Sequence, residues 1–189
     1  MLQHAINQVC FNPAPIKLWL SQRDCLTFGP EGEDMKSVLY ASAVGSLMYA
    51  MVVTRLDIIY LVGVVSKFMH NPCQLHWNVV KHVLSYLVCT QDHNILFGPN
   101  QNLGLISYID SNFAICVDCW KSTTEYYFKF GNGAILWKSK LQECTATSMI
   151  EAKYIDASNA TKEALWLSRL ACTFRQANPN SAPVVYSDS

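Results

Sequence analysis

The chain carries no net charge: 14 Lys and Arg residues balance 14 Asp and Glu. No long-range positive field therefore draws in nucleic acid or an anionic membrane. That argues against a free-standing nucleic-acid binder, though not against an enzyme that meets such a substrate within a larger assembly. Charge of either sign is also scarce, at 15% of residues against 51% hydrophobic, and this excludes a disordered chain. Apolar runs of membrane-spanning length are missing too. The uncharged run at 38–54 holds two serines, a glycine and two tyrosines, and the next, 58–66, is only nine residues long. A span needs about 20 predominantly apolar residues, so two helices burying each other are expected here instead. No secretory leader is read at the start, because His4, Asn7 and Gln8 interrupt any apolar stretch. An intracellular location, cytoplasmic or nuclear, with no membrane partner is the expectation.

Paired cysteines are likewise lacking. The eight cysteines are scattered, and Cys116 and Cys119 form the one Cys-x-x-Cys pair. A structural zinc needs four ligands, and no second pair lies near, so reduced thiols are expected. His76 and His82 fall six apart and share no helical face.

What is present has a clear order. Residues 1–36 read as irregular, with Pro13 and Pro15 breaking any helix. Apolar texture with small residues predicts helices over 38–54 and 58–69, the second ended by Asn71-Pro72. A third helix is predicted from Gln74 to about Cys89, with Trp77, Val80, Val83, Leu84 and Leu87 on its apolar face. A turn at Gly98-Pro99-Asn100 marks the expected boundary between a helical segment, 37–100, and a second domain, 101–189. There, strands are predicted over 103–110, 125–131 and 134–139, with a hairpin turn at Asn132-Gly133 between the last two. Ser148 can cap a long helix reaching about 174, whose sheet-facing stripe is read as Ile150, Tyr154, Ala157, Thr161, Ala164 and Ser168. A strand over 183–186 then leads to Asp188.

Three acids stand out in this order. A strand following a helical crossover tends to return parallel to an earlier one, which would set Asp110 and Asp188 at carboxyl ends of neighbouring strands. Glu151, in the first turn of the crossover helix, can reach the same place. Three carboxylates without a basic partner in their local sequence repel one another unless a cation lies between them. Hard divalent ions with oxygen ligands meet that need, Mg²⁺ above all when a substrate phosphate is present. Two such ions activate a water and stabilise the leaving oxygen in phosphodiester cleavage. Three unrelated surface acids is the competing explanation.

Several motifs carry a family resemblance. Residues 42–50 (SAVGSLMYA), 54–58 (TRLDI), 62–72 (VGVVSKFMHNP), 76–77 (HW) and 83–90 (VLSYLVCT) resemble the end of the reverse transcriptase in copia-type LTR retrotransposon Pol polyproteins. Residues 121–142 (KSTTEYYFKFGNGAILWKSKLQ) and 151–156 (EAKYID) resemble the ribonuclease H domain that follows it there. The resemblance implies a ribonuclease H-like mixed sheet: three antiparallel strands, a crossover helix and a parallel strand, preceded by a helical thumb or connection segment. It implies cleavage of the RNA strand of RNA–DNA hybrids with two Mg²⁺ or Mn²⁺ ions, and the remainder of the Pol polyprotein as partner. The family's catalytic, metal-binding acids fall on Asp110, Glu151 and Asp188.

The departures are as specific. The family's fourth acid, with a further strand and helices, has no counterpart here, so a truncated and impaired domain is expected. An inactive remnant with a structural or partner-binding role is the alternative. The family's acid-rich loop after the first aspartate reads Asp110-Ser111-Asn112-Phe113-Ala114-Ile115-Cys116, and Glu125 stands where the family usually has glycine. Leu56, Met149, Ile150 and Lys153 also depart from it, and several of these changes need only one transition, the pattern of a decaying element copy. No Tyr-x-Asp-Asp pair is present, so polymerisation is not expected of this chain.

Overall fold

The structure, a computed structural model, describes residues 20–21, 34–97, 104–116, 118–174 and 182–187. The chain divides into two compact units, residues 1–94 and 95–189. The expected boundary turn at 98–100 lies outside the described residues.

The first unit is helical: α1 (Tyr40–Val53), α2 (Ile59–Ser66) and α3 (Gln74–Cys89), with short 3-10 turns at Asp34–Ser37 and Leu56–Ile58. Their core gathers Tyr40, Val44 and Leu47 of α1, Leu61, Val62 and Val65 of α2, and Val79, Val80, Val83 and Tyr86 of α3. The face of α3 differs from the expected one. His76, Val79 and Tyr86 are buried with Val80 and Val83, whereas Leu84 is exposed. His76 is drawn in because its ring stacks on Phe68, centroids 3.8 Å apart, and its Nδ1 accepts the Cys73 backbone N–H at 3.2 Å, capping the helix start. Polar residues thus took core places that hydropathy alone assigns elsewhere.

The TRLD motif acts as a tie within this unit. Arg55 Nε and Nη2 donate to the two carboxylate oxygens of Asp57 at 3.0 and 2.7 Å. Arg55 Nη1 and Nη2 also reach the Thr90 carbonyl and hydroxyl, at 3.0 and 2.6 Å. Tyr86 donates its hydroxyl to Asp57 at 2.7 Å. A bidentate pair thereby caps the carboxyl end of α3, where the unpaired carbonyls need a donor. Among the described residues no helix is long and apolar enough to cross a membrane.

The second unit is α/β: β1 (Leu105–Asn112), β2 (Thr123–Phe130), β3 (Gly133–Leu141), α4 (Met149–Thr173) and β4 (Val184–Ser187). The sheet order is β3-β2-β1-β4, antiparallel for the first three strands and parallel between β1 and β4. The expected mixed sheet is therefore present, with α4 as the crossover. The hairpin turn falls one residue earlier than expected. Phe130 pairs with Gly133, leaving Gly131-Asn132 as the loop, and Gly131 takes the positive φ of 60° that glycine tolerates without cost.

The packing face of α4 also differs. Ala152, Asp156, Ala160, Ala164 and Leu167 are buried, the last three against Leu105, Ile109, Tyr126 and Phe128, while Ile150, Tyr154 and Thr161 face outward. The small side chains of Ala152, Ala160 and Ala164 let the helix lie close to the sheet, and the bulk of Ile150 and Tyr154 would hold it away. Ser148 does cap the helix: its hydroxyl accepts the Glu151 backbone N–H at 3.2 Å.

Candidate acidic site

Asp110 lies on β1, but the strand runs two residues further, to Asn112. Alternation along β1 turns Leu105, Ser107 and Ile109 toward α4 and Tyr108 and Asp110 to the other face. On that face one rung crosses all four strands: Tyr186, Tyr108, Tyr127 and Trp137 are register partners. The three tyrosine rings stack side by side, at 5.0 and 5.3 Å. In the next rung Asp110 sits opposite Glu125, which sits opposite Ser139.

Two like charges directly opposite on antiparallel strands oppose pairing. Burial raises the Glu125 carboxyl above the ordinary glutamate range, the Ser139 hydroxyl bond at 2.9 Å pulls the other way, and the Asp110 and Asp156 charges raise it further. On the helix face Asp156 is 1% exposed. Its Oδ1 accepts from the Thr124 hydroxyl in a very short bond and from Gln142 Nε2 at 2.8 Å. Burial raises its carboxyl, those two bonds lower it, and the Asp110 charge raises it again, leaving a net upward shift. The Ser111 hydroxyl, on the same face of β1, also lowers the Asp156 carboxyl. Asp110 is thus the centre of a negative field felt on both faces of the sheet. Sequence reasoning missed Glu125 and Asp156 as members of it, because neither strand register nor helix phase is written in the local pattern.

Glu151 stands in the first turn of α4, fully exposed, and its Oε2 accepts from the Thr147 backbone N–H at 2.7 Å and hydroxyl at 2.6 Å. These bonds hold its carboxyl below the ordinary glutamate range. Here Glu151 is a helix cap. Asp188, the residue after Ser187 of β4, lies outside the described residues. Among the described residues no three His, Cys, Asp or Glu side chains are gathered closely enough to hold a metal ion. Among them, too, Asp110 joins no salt bridge.

An α/β domain with a parallel strand beside an acid-bearing one, preceded by a helical unit, is the class defined so far, and comparison with known proteins specifies it. The chain is 49% identical over 152 residues to the retrovirus-related Pol polyprotein from transposon TNT 1-94 of Nicotiana tabacum, covering 80% of this chain and 11% of that protein. It is 37% identical over 150 residues to that from transposon RE2 of Arabidopsis thaliana, covering 79% and 10%. It is also 44% identical over 134 residues to the secreted RxLR effector protein 161 of Plasmopara viticola, covering 71% of this chain and 94% of that protein. Over about 80% of its length the chain is thus similar to part of the retrovirus-related Pol polyproteins of plant copia-type transposons. It spans about a tenth of the length of these plant polyproteins. No family model matches it, and no solved structure does.

Proposed function

We propose that residues 95–189 are the ribonuclease H part of a copia-type Pol polyprotein, acting on the RNA strand of RNA–DNA hybrids. Residues 37–94 are then the preceding thumb or connection segment. The observation that carries this reading is the pairing of β4 parallel to β1 through the α4 crossover. This topology directs the acid-bearing strand and the chain leading to Asp188 the same way. In this reading Asp110, Glu151 and Asp188 hold two Mg²⁺ or Mn²⁺ ions.

The donor set suits such ions. All its atoms are hard carboxylate oxygens, and the repulsion of Asp110 on Glu125 is what a cation would relieve. When bound, the ions supply an activated water and stabilise the leaving oxygen. The protein's own part is to fix Asp110 in a strand paired on both sides, and to release Glu151 from its bonds to Thr147. A labelled RNA–DNA hybrid incubated with Mg²⁺ or Mn²⁺ tests the reading. RNA-strand cleavage that disappears in Asp110→Asn supports it, and cleavage that persists in that variant removes the acids from the mechanism.

A second reading is a retroelement remnant without catalysis, kept for a structural or partner-binding role. The capping bonds of Glu151 favour it. An intact fold that cleaves no hybrid under any divalent ion is its expected result.

A further inference from the structure

Among the described residues the sheet has two edges, β3 and β4, and their sequences treat them differently. An edge strand offers unpaired N–H and C=O groups to any other strand, and proteins block it with lysines, bulges or a cover. β3 carries two such blocks. Lys138 and Lys140 alternate along it, both side chains about half exposed or more. Its pairing with β2 also shifts register: Phe128 faces Leu136 and Lys129 faces Ala134, which leaves Ile135 as an extra, bulged residue. β4 has none of these. Val184–Ser187 contains no lysine, no proline and no register shift, and all four residues are exposed. Val184, Val185 and Tyr186 are 46%, 36% and 52% exposed, so the apolar side chains of this edge are uncovered. Among the described residues β4 pairs with β1 alone, and its alternate backbone groups point away from that strand.

The tyrosine ladder on the open face ends at the same edge. Tyr127 stacks on Tyr108, and Tyr108 on Tyr186, at interplanar angles of 16° and 23°. Successive strands lie about 4.8 Å apart, close to the spacing of stacked rings, so each strand adds one ring. A further strand beside β4 with a tyrosine in register would extend the stack. A second β4 is such a strand. Across a two-fold axis at Tyr186, an antiparallel copy sets Tyr186 opposite its own counterpart and Val185 opposite Ser187, with no charge in either pair. Facing residues of an antiparallel pair share a face, so the two ladders would join into one continuous stack. The chain's zero net charge adds no long-range repulsion between copies.

We propose that β4 pairs antiparallel with β4 of a second copy of this chain, making one continuous sheet from two. The contact is isologous and closes on itself, and the blocked β3 edge keeps the assembly at a dimer. Four residues from each copy bury less than the roughly 800 Å² per partner of a standard interface, so the association is weak and depends on concentration. It requires neither metal nor nucleic acid, and it stands apart from the nuclease reading.

Sedimentation equilibrium of the full chain from about 10 μM to about 1 mM, without divalent ions, tests the proposal. A monomer–dimer equilibrium is expected. Tyr186→Lys sets a cation at the axis opposite its own copy, and roughly tenfold or greater weakening is expected. Ile135→Lys, an exposed change on the other edge, is expected to leave the equilibrium as it is. Backbone amide exchange of the unsubstituted chain is a second readout, independent of how any variant folds. Slower exchange at the higher concentration is expected within 184–187 and not in β3. A chain that stays monomeric throughout leaves this edge to a strand of a different protein and overturns the proposal. A dimer unchanged by Tyr186→Lys, or one lost in Ile135→Lys, overturns it as well. Growth beyond a dimer, or exchange slowed by concentration elsewhere than in β4, has the same consequence.

Discussion

At the scale of single residues, the unit's chemistry turns on how Asp110 is surrounded. A lone acid near a strand end is most simply solvated, and Asp110 is indeed exposed. Its neighbours change its meaning. Glu125 sits opposite it on the open face, and Asp156 is buried on the other face, bonded to Thr124 of the neighbouring rung. Asp156→Asn keeps an Oδ1 for Thr124 and Gln142 and removes a buried charge that burial and Asp110 both disfavour. At pH 7 the substitution is expected to stabilise the second unit, because an uncharged amide costs less to bury than a carboxylate. The sign of the pH dependence follows from the raised carboxyl. The folded state holds the proton more tightly than the unfolded one, so stability is greatest below the unfolded value near 3.8 and falls as pH rises through the folded value. Urea denaturation of both proteins from pH 4 to 8 checks this, and a constant difference across that range would contradict it. Glu125→Gln removes the like charge facing Asp110 and is expected to loosen, not tighten, divalent-ion binding, which Mn²⁺ titration of the two proteins measures.

At the scale of elements, most of the order is legible in the sequence and most of the facing is not. The run from Gln74 to Cys89 starts at a proline-preceded turn and reads as a helix from its apolar spacing alone. Strands β1, β2 and β3 show in their aromatic and β-branched residues. The helix phase does not show. In α4, alanines at 152, 157, 160 and 164 are compatible with two adjacent faces, and the choice between them is made by close packing on the sheet. Register is equally hidden: Asp110 and Glu125 lie 15 residues apart, and only the lengths of β1 and β2 and the loop between them set them opposite. One local signal was sufficient, the Ser148 cap. Ser148→Ala is expected to cost about 1 kcal/mol through the lost bond to the Glu151 N–H, read as a lower urea midpoint with an unchanged slope.

At the scale of the whole molecule, two units with separate cores carry separate functions in the proposed account. In the first, the TRLD motif persists as an ion pair that ties the 3-10 turn to the end of α3. Arg55→Ala would leave Asp57 half-buried with Tyr86 as its donor and strip the Thr90 carbonyl of its cap. A loss of about 1–3 kcal/mol from the first unit is expected, measured by denaturation with a probe confined to residues 34–94. Burial raises the Asp57 carboxyl, but the bonds from Arg55 and Tyr86 outweigh it and leave the group below its ordinary value. Its stabilising contribution is therefore present above about pH 4 and lost as pH falls through the folded value, the opposite sign to Asp156.

In the second unit, the central claim is that Asp110, Glu151 and Asp188 are the ligands of one divalent-ion site. Paramagnetic broadening by Mn²⁺ in the full chain tests it most directly, because it reports location without requiring turnover. The account predicts that substoichiometric Mn²⁺ selectively broadens backbone resonances around residues 110, 151 and 188, and that Asp110→Asn abolishes the effect at all three. Broadening that leaves these three regions untouched, or that survives Asp110→Asn, would contradict it.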